Sequence, residues 1–203
     1  MIAKMDSLWW EKYKVNLPEG KVNDVEIRPI EIDQQTADFS MLRAMLNGGR
    51  GSIVAGTYTG LYRNGELWMS DTPDEIGDHL GAIHEAEARG GRVLVNGLGL
   101  GMVVKALLAM PNVTHVDVVE IDPDVIALVG PAYASDRCTI HLADAHEIEW
   151  PSDTRWTVAW HDIWPDISIS NEASMDMLEG KYDELVDWQE CWGRADMDRK
   201  WNS

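Results

Sequence analysis

The sequence predicts an α/β fold in which a mostly parallel β-sheet is flanked by helices. In residues 92–122 a short apolar run, a glycine-rich turn, a helical stretch and a second apolar run follow one another, which is typical of a βαβ unit. Two further β-rich runs, at residues 138–142 and 155–162, extend this alternation. The pair Asn64-Gly65, between two more β-rich runs, predicts an antiparallel hairpin ahead of the parallel sheet.

Residues 1–70 are predicted to form a small N-terminal region with that hairpin. Pro29 cannot donate a hydrogen bond to a neighbouring strand, which favours an edge position for the strand that contains it. Thr36 is expected to cap the helix that follows, and Gly48 is expected to end it. The elements expected in this region are an arm over residues 1–23, a strand over 24–33, a helix over 36–47 and the hairpin around Asn64-Gly65.

Residues 71–203 are predicted to form the main α/β domain, which opens with a helix. Thr72 is expected to cap this helix, Pro73 suits its first turn and Glu75 completes a capping box. After the βαβ unit, the elements expected are a helix over residues 123–129, strands over 138–142 and 155–162, an acidic helix over 171–186 and a short fifth strand over 188–192.

Three glycines, Gly97, Gly99 and Gly101, stand at alternate positions between the first strand of the unit and its helix. Glycine permits positive φ and lets backbone N–H groups approach a ligand, and the start of the helix adds a positive dipole. Glu120 lies 19 residues after Gly101, at a strand end, where a carboxylate accepts ribose hydroxyls. The pattern predicts a site for a nucleoside-containing cofactor; the alternative is a glycine-rich turn that binds nothing.

The chain is strongly acidic, with 35 aspartates and glutamates, 17 lysines and arginines and a net charge of −18. Such a surface repels phosphate backbones, which argues against nucleic acid and favours a small molecule, an amine or a basic protein as partner. No apolar run has the length of a membrane span and no signal peptide is visible, so we expect a cytoplasmic protein without membrane contact. Cys138 and Cys191 are expected to be reduced thiols.

The turn G-x-G-x-G followed by Glu-Ile-Asp-Pro at residues 120–123 resembles the Rossmann-like, class I S-adenosylmethionine-dependent methyltransferases. Within that superfamily the chain is most similar to the spermidine synthase branch, whose cores read VLV-x-G-x-G-x-G and then VEID. It also resembles small methyltransferase-like proteins of bacteriophages, which share GLGLG and WHDIW. The resemblance covers residues 58–164 and implies a Rossmann-like sheet with S-adenosylmethionine as cofactor.

The resemblance also bears on the extent of the sheet. A complete methyltransferase sheet has seven strands, and only four or five are readable in this sequence. We therefore expect a sheet that is truncated at its C-terminal end. An open sheet edge exposes unpaired backbone groups, so we expect a second subunit to cover it in a homodimer.

The same resemblance implies site residues. Asp144 is expected at the adenine amine, and Asp162 matches the acid that handles the acceptor. Glu75 and His79 belong to a DE-x-x-x-H segment on the substrate side, which makes them, with Asp162, the catalytic candidates. Structural roles stay open for all three, since Asp162 and Glu75 also suit caps and His79 suits a solvated helix face. The expected cofactor-binding residues are Gly97, Leu98, Gly99, Gly101, Glu120, Ile121, Asp144 and Ala145.

Three positions depart from the spermidine synthase pattern. Leu100 replaces an aspartate of the turn, Met69 replaces an upstream glutamine and Asp78 replaces a tyrosine. The resemblance implies that those groups hold the methionine end and the amine substrate, so their loss argues against polyamine synthesis. We therefore expect a methyltransferase that acts on a small molecule. The alternatives are an aminopropyltransferase, another S-adenosylmethionine-consuming enzyme and a non-catalytic nucleoside-binding protein.

Two other residue groups invite a functional interpretation. Four tryptophans near predicted strand ends, at positions 160, 164, 188 and 192, suit either an aromatic wall for a substrate or the core. Three histidines lie near strand ends beside Asp144 and Asp162, but no metal-binding spacing is present, so no metal is expected. These histidines are His141, His146 and His161.

Overall fold

The structure is a computed structural model that describes residues 9–46 and 53–201. In these residues it contains two β-sheets, seven α-helices and two short 3₁₀ helices. No helix in these residues is long and apolar enough to cross a membrane. The strands are β1 (Gly20–Val22), β2 (Val25–Ile32), β3 (Gly56–Arg63), β4 (Glu66–Ser70), β5 (Gly91–Asn96), β6 (Val113–Glu120), β7 (Cys138–Leu142), β8 (Val158–His161) and β9 (Gln189–Cys191). The helices are α1 (Gln34–Leu46), α2 (Pro73–Asp78), α3 (Leu80–Arg89), α4 (Met102–Leu108), α5 (Pro123–Val129), α6 (Glu172–Tyr182) and α7 (Arg194–Trp201).

Strands β5 to β9 form a parallel sheet in the order β7-β6-β5-β8-β9. This order confirms the predicted Rossmann-like fold, because the chain first adds strands on one side of β5 and then on the other. The order reverses between β5 and β8, and ligands of open α/β sheets bind at such a reversal, beyond the carboxyl ends of the strands.

Apolar layers cover both faces of the parallel sheet. On one face Val93 of β5 and Val116 of β6 belong to the same core cluster as Val104 of α4. On the opposite face Leu94 packs with Met175 of α6. Successive residues of a strand point to opposite faces, so covering both faces explains why β5 is a continuous apolar run and not an alternating one.

Strands β1 to β4 form an antiparallel sheet in sequence order. Asn64 and Gly65, with φ of 51° and 82°, make the tight turn between β3 and β4, which confirms the predicted hairpin. The prediction that the strand with Pro29 is an edge strand is wrong, because β2 pairs with both β1 and β3. The pairing with β1 ends at Ile27, so β2 has a neighbour on one side only at Pro29. The missing N–H is therefore tolerated.

The cap predicted for the first helix is also wrong. Helix α1 begins at Gln34, ahead of Thr36, and the side chain that caps it belongs to Asp33. The Thr36 N–H donates to Asp33 Oδ1 at 2.7 Å, an interaction typical of an N-cap aspartate. The predicted stop of this helix at Gly48 lies outside the described residues.

The capping box predicted for the second helix is absent among the described contacts. Thr72 precedes α2, but its side chain makes no capping hydrogen bond. The Glu75 carboxylate accepts instead from the backbone N–H and the hydroxyl of Ser70, at 2.6 and 2.8 Å. The single helix predicted here is divided at His79 into α2 and α3. Glu75 therefore ties the end of β4 to α2.

The N-terminal arm covers the core where the structure describes it. Trp10 is buried in the same core cluster as the parallel sheet. The buried Asp71 carboxylate accepts the N–H of Val15 at 3.0 Å and the N–H of Thr59 at 2.6 Å, which fixes the arm to β3. The division of the chain into two domains at residue 70 stays a prediction.

Candidate functional site

A cavity of about 350 Å³ lies at the carboxyl ends of β5, β6, β7 and β8. Gly97 follows β5, Glu120 ends β6 and Asp162 follows β8, so three strand ends contribute to one wall. The β3–β4 hairpin adds the opposite wall. The volume is in the range of small-molecule sites, and the place is the reversal point of the strand order.

Seven of the residues expected at the site line this cavity, and four do not. Gly101 is the N-cap residue of α4, and Leu98 and His79 instead line a pocket of about 10 Å³ that shares Asp162 and Gly97 with the cavity. Glu75 lines neither space. The seven that line the cavity are Gly97, Gly99, Glu120, Ile121, Asp144, Ala145 and Asp162.

The three glycines of the turn all have positive φ, of 98°, 49° and 72° for Gly97, Gly99 and Gly101. A side chain at Gly97 would collide with the backbone carbonyl of Asp162, and one at Gly101 would collide with the Tyr133 ring. Glycine is therefore required for conformation and for space. The close approach at Gly97 is what places Asp162 beside the turn.

Backbone N–H groups of the turn have partners within the protein. The Gly97 N–H donates to the Val119 carbonyl at 2.8 Å, and the Leu98 N–H donates to Glu120 Oε2 at 2.9 Å. The Leu100 N–H points at the sulfur of Met69, 3.2 Å away. In the structure these three N–H groups hold the turn against β6 and β4.

Glu120 connects the turn to the end of β6. Besides the Leu98 N–H, its carboxylate accepts the N–H of Asp122 at 2.9 Å, and only 9% of the residue is exposed. Burial raises the pKa of Glu120, while the hydrogen bonds of the turn and the charge of Arg63 act against that rise. Glu120 also lines the cavity, so its carboxylate is within reach of a ligand there.

Arg63 and Trp68, at the hairpin end of the cavity, are residues that the sequence reasoning missed. The Arg63 guanidinium pairs with the Asp122 carboxylate and lies over the Trp68 ring at 4.2 Å. Both side chains line the cavity. Only the order of the elements, with the hairpin directly ahead of the parallel sheet, pointed to this position.

Asp144 and Ala145 line the cavity beyond the end of β7. Asp144 Oδ1 accepts the N–H of His146 at 2.8 Å, which fixes the turn after the strand. The ammonium of Lys181 on α6 donates to the carbonyls of Ala145, His146 and Ile148 at 3.1, 2.8 and 2.6 Å. This wall is therefore held by a residue that is distant in sequence.

The Asp162 carboxylate lies opposite His79. Its Oδ2 lies 3.9 Å from His79 Nε2, too far for a hydrogen bond, and the side chains are 13% and 3% exposed. Burial raises the pKa of Asp162 to about 7, and the carboxylates of Glu75, Asp78 and Glu120 add to the rise. Burial lowers the pKa of His79 to about 4. Near neutral pH Asp162 therefore exchanges a proton while His79 stays neutral.

The alternative that His79 lies on a solvated helix face is wrong, since the residue is buried. Its ring packs edge-on against Trp160, with ring centres 5.8 Å apart. Glu75 stays at the junction of β4 and α2, and it acts on Asp162 through charge and not through contact. The structure thus brings His79 to Asp162 but leaves Glu75 outside the cavity.

The tryptophans suggested as an aromatic wall are divided between cavity and core. Trp164 lines the cavity, whereas Trp160 is buried in the core on the α3 and α4 side of the sheet. Trp188 and Trp192 pack against that core and do not line the cavity. Aromatic surface in the cavity therefore comes from Trp164 and from Trp68 of the hairpin.

The three histidines near the strand ends take different places. His141 Nε2 lies 3.3 Å from the Asp117 carboxylate, His161 bonds Asn96 at 2.8 Å inside the core, and His146 lines the cavity. Within residues 9–46 and 53–201, no group of three or more His, Cys, Asp or Glu side chains is arranged to hold a metal ion.

Comparison with known proteins gives distant similarities. No family model matches the chain. Among curated proteins, polyamine aminopropyltransferase 2 of Bacillus cereus is 25% identical over 138 residues, which are 62% of this chain and 37% of that protein. The chain therefore spans little more than a third of that relative's length.

Several solved structures are similar at low identity. Spermidine synthase from Thermotoga maritima matches with a TM-score of 0.40 and 18% identity, over 64% of this chain and 40% of its own. An S-adenosylmethionine-dependent methyltransferase from Mesorhizobium loti matches with a TM-score of 0.40 and 18% identity, over 54% of this chain and 49% of its own. A 23S rRNA methyltransferase matches with a TM-score of 0.40 and 17% identity, over 53% of this chain and 42% of its own. The proteins to which this chain is similar thus include class I S-adenosylmethionine-dependent methyltransferases, spermidine synthase and a polyamine aminopropyltransferase.

Proposed function

We propose that the protein binds S-adenosylmethionine in the cavity at the strand ends and transfers its methyl group to a small, non-nucleic-acid acceptor. The observation that carries the proposal is the convergence of the glycine turn, Glu120, Asp144 and Asp162 on one cavity at the reversal point of the sheet. When bound, this cofactor supplies a methyl group that a positive sulfonium activates. The protein has to orient the acceptor and remove its proton.

Three acids of the cavity have separate roles, two in binding the cofactor and one in activating the acceptor. Glu120, which backbone N–H groups fix at the cavity wall, suits the ribose hydroxyls. Asp144, on the wall beyond β7, suits the adenine amine. Asp162 suits the acceptor, because a carboxyl with a pKa of about 7 can take a proton at neutral pH.

The charge of the site supports a neutral or cationic acceptor. The carboxylates of Glu75, Asp78 and Glu120 all raise the pKa of Asp162, which means that they make the potential around it negative. With a net charge of −18, the whole chain also repels phosphate backbones. These features favour a small molecule over RNA or DNA.

Aminopropyl transfer is the second candidate, since a negative site also attracts an amine substrate and the curated relative carries that name. Against it, Leu100 is fully buried and presents no polar group, and Met69 covers the turn with a thioether. A nucleoside-binding protein without catalysis is the third candidate. It shares the cavity but needs no group like Asp162.

Calorimetry with S-adenosylmethionine and S-adenosylhomocysteine tests the cofactor, and mass spectrometry of the cofactor after incubation with candidate acceptors tests the reaction. Binding of either nucleoside at micromolar concentration and formation of S-adenosylhomocysteine would support the proposal. Binding without turnover across a broad acceptor set would favour the non-catalytic candidate. Binding of NAD in place of both nucleosides would contradict the proposed cofactor.

A further inference from the structure

Trp68 is the extra residue of a β-bulge in the β3–β4 hairpin. Leu61 of β3 pairs with Met69 of β4, but the next residue of β3, Tyr62, pairs with Leu67. Adjacent side chains of a regular strand point to opposite faces, whereas Trp68 and Met69 both line the cavity. A bulge re-aims a side chain in this way, and bulges are frequent beside active sites. The irregular pairing therefore explains how Trp68 reaches the cavity.

The Trp68 ring is held from one side by Arg63, the last residue of β3. The guanidinium lies 4.2 Å from the ring centre and pairs with the Asp122 carboxylate. Asp122 in turn accepts the N–H of Asp124 at the start of α5, so the hairpin is fixed to the end of β6. Arg63 covers one face of the ring, and 48% of Trp68 is exposed. Aromatic surface therefore remains available to a ligand in the cavity.

The charges around the cavity distinguish the Trp68 side from the Asp162 side. Burial raises the pKa of Glu120, and the charge of Arg63 opposes that rise, so Arg63 and the ring beneath it lie on the Glu120 side. Burial also raises the pKa of Asp162, and there the neighbouring charges are carboxylates, which add to the rise. A cationic group is therefore attracted to Asp162, whereas a flat, neutral group suits the ring beside Arg63.

We propose that Trp68 is a further cofactor-binding residue, whose ring stacks on the purine base of the nucleoside. The proposed function puts the ribose at Glu120 and the adenine amine at Asp144, and the hairpin is the wall opposite these strand ends. Asp144 then contacts an edge of the base, and Trp68 covers its face. Adenine is flat and neutral, and bases commonly stack on aromatic side chains. The inference rests on the proposed nucleoside site and adds a residue from outside the parallel sheet.

Calorimetry on the full chain with S-adenosylhomocysteine and adenosine, which carry the same base, tests the inference. Trp68→Ala should weaken the binding of both ligands by roughly tenfold, within the usual range for base–aromatic stacking. Trp68→Phe keeps an aromatic ring and should stay within about threefold of the wild type, whereas Trp68→Leu keeps apolar volume without a ring and should resemble Trp68→Ala. A loss for S-adenosylhomocysteine alone would place Trp68 at the amino-acid part of that ligand and would overturn the inference.

Leu67→Ala is the matched control, because Leu67 lies on the same strand, is 49% exposed and does not line the cavity. It should leave both affinities unchanged, and a thermal melt of each variant checks folding. If Trp68→Ala does not fold, the comparison of Trp68→Leu with Trp68→Phe decides the case. Affinities within about twofold of the wild type in Trp68→Ala or Trp68→Leu would overturn the inference and leave the proposed function standing. If the wild type binds neither ligand, both proposals fail.

Discussion

The Asp162 carboxylate lies 3.9 Å from Nε2 of His79, and burial shifts the pKa values of the two groups in opposite directions, to about 7 and about 4. At neutral pH the pair therefore contains a neutral imidazole and a carboxyl that is partly protonated. Such a carboxyl is poised to accept a proton from a bound acceptor. It also makes the stability of the protein depend on pH.

We expect Asp162→Asn to stabilise the protein at about pH 8 and to have little effect at about pH 4. The folded-state pKa of Asp162 is raised above its usual 3.8, so its contribution to stability is present below that value and is lost as pH rises through about 7. The full shift of this pKa sets an upper bound, on the order of 4 kcal/mol, on the change in the free energy of unfolding. Thermal melts at both pH values measure the difference.

The neighbouring histidine, His79, makes the stability of the protein depend on pH in the opposite direction. The pKa of His79 is lowered from 6.5 to about 4, so stability from this group is lost as pH falls through that window. Asp166→Asn, which changes an exposed acid on the same connection, is the control for these melts. Equal destabilisation of Asp162→Asn at both pH values would identify Asp162 as a structural cap.

Glu120→Ala should weaken S-adenosylhomocysteine binding by roughly 1.5–3 kcal/mol, the usual range for hydrogen bonds to a charged group. The substitution removes the acceptor for the ribose and also leaves the N–H groups of Leu98 and Asp122 without their partner. Calorimetry measures the affinity, and a thermal melt separates lost binding from lost folding.

Glu147→Ala is the control for that substitution, because Glu147 is exposed and does not line the cavity. The affinity of this variant for S-adenosylhomocysteine should equal that of the wild type. A folded Glu120→Ala variant with unchanged affinity would place the nucleoside elsewhere.

Asp162→Asn should lower turnover of an identified acceptor by roughly 10²-fold, as expected for loss of a general base, and change cofactor affinity only a few-fold. In the wild type, kcat/KM should rise with pH through about 7, because the carboxyl accepts a proton only when ionised. The variant should lack this titration. A variant that folds and reacts normally would show that Asp162 is not the base, and attention would move to His79.

We expect no spermidine from putrescine and decarboxylated S-adenosylmethionine. Leu100 is buried and Met69 covers the turn, so the polar groups that the resemblance assigns to these positions are missing. Chromatographic analysis of polyamines after incubation measures the product. Turnover above a no-enzyme control would favour the aminopropyltransferase alternative.

Most of the parallel sheet was predictable because its signals are local. The buried runs of β5 and β7 and the glycines between β5 and α4 each show in a few consecutive residues. Helix α7 was missed, since its sequence is mostly polar and its place depends on Met197, which packs into the core cluster of α6. The break at His79 was missed for a similar reason, because it depends on burial against Trp160.

Sequence by itself determined the order of the elements, the glycine turn and the acids at the strand ends, because period, turn chemistry and spacing are properties of neighbouring residues. Tertiary structure decided which of these groups meet. It placed Asp162 beside Gly97 and His79, it turned the Leu100 N–H towards Met69, and it brought Arg63 of the hairpin to Asp122. Such contacts join residues far apart in the chain, and burial then shifts their pKa values, so no local pattern carries them.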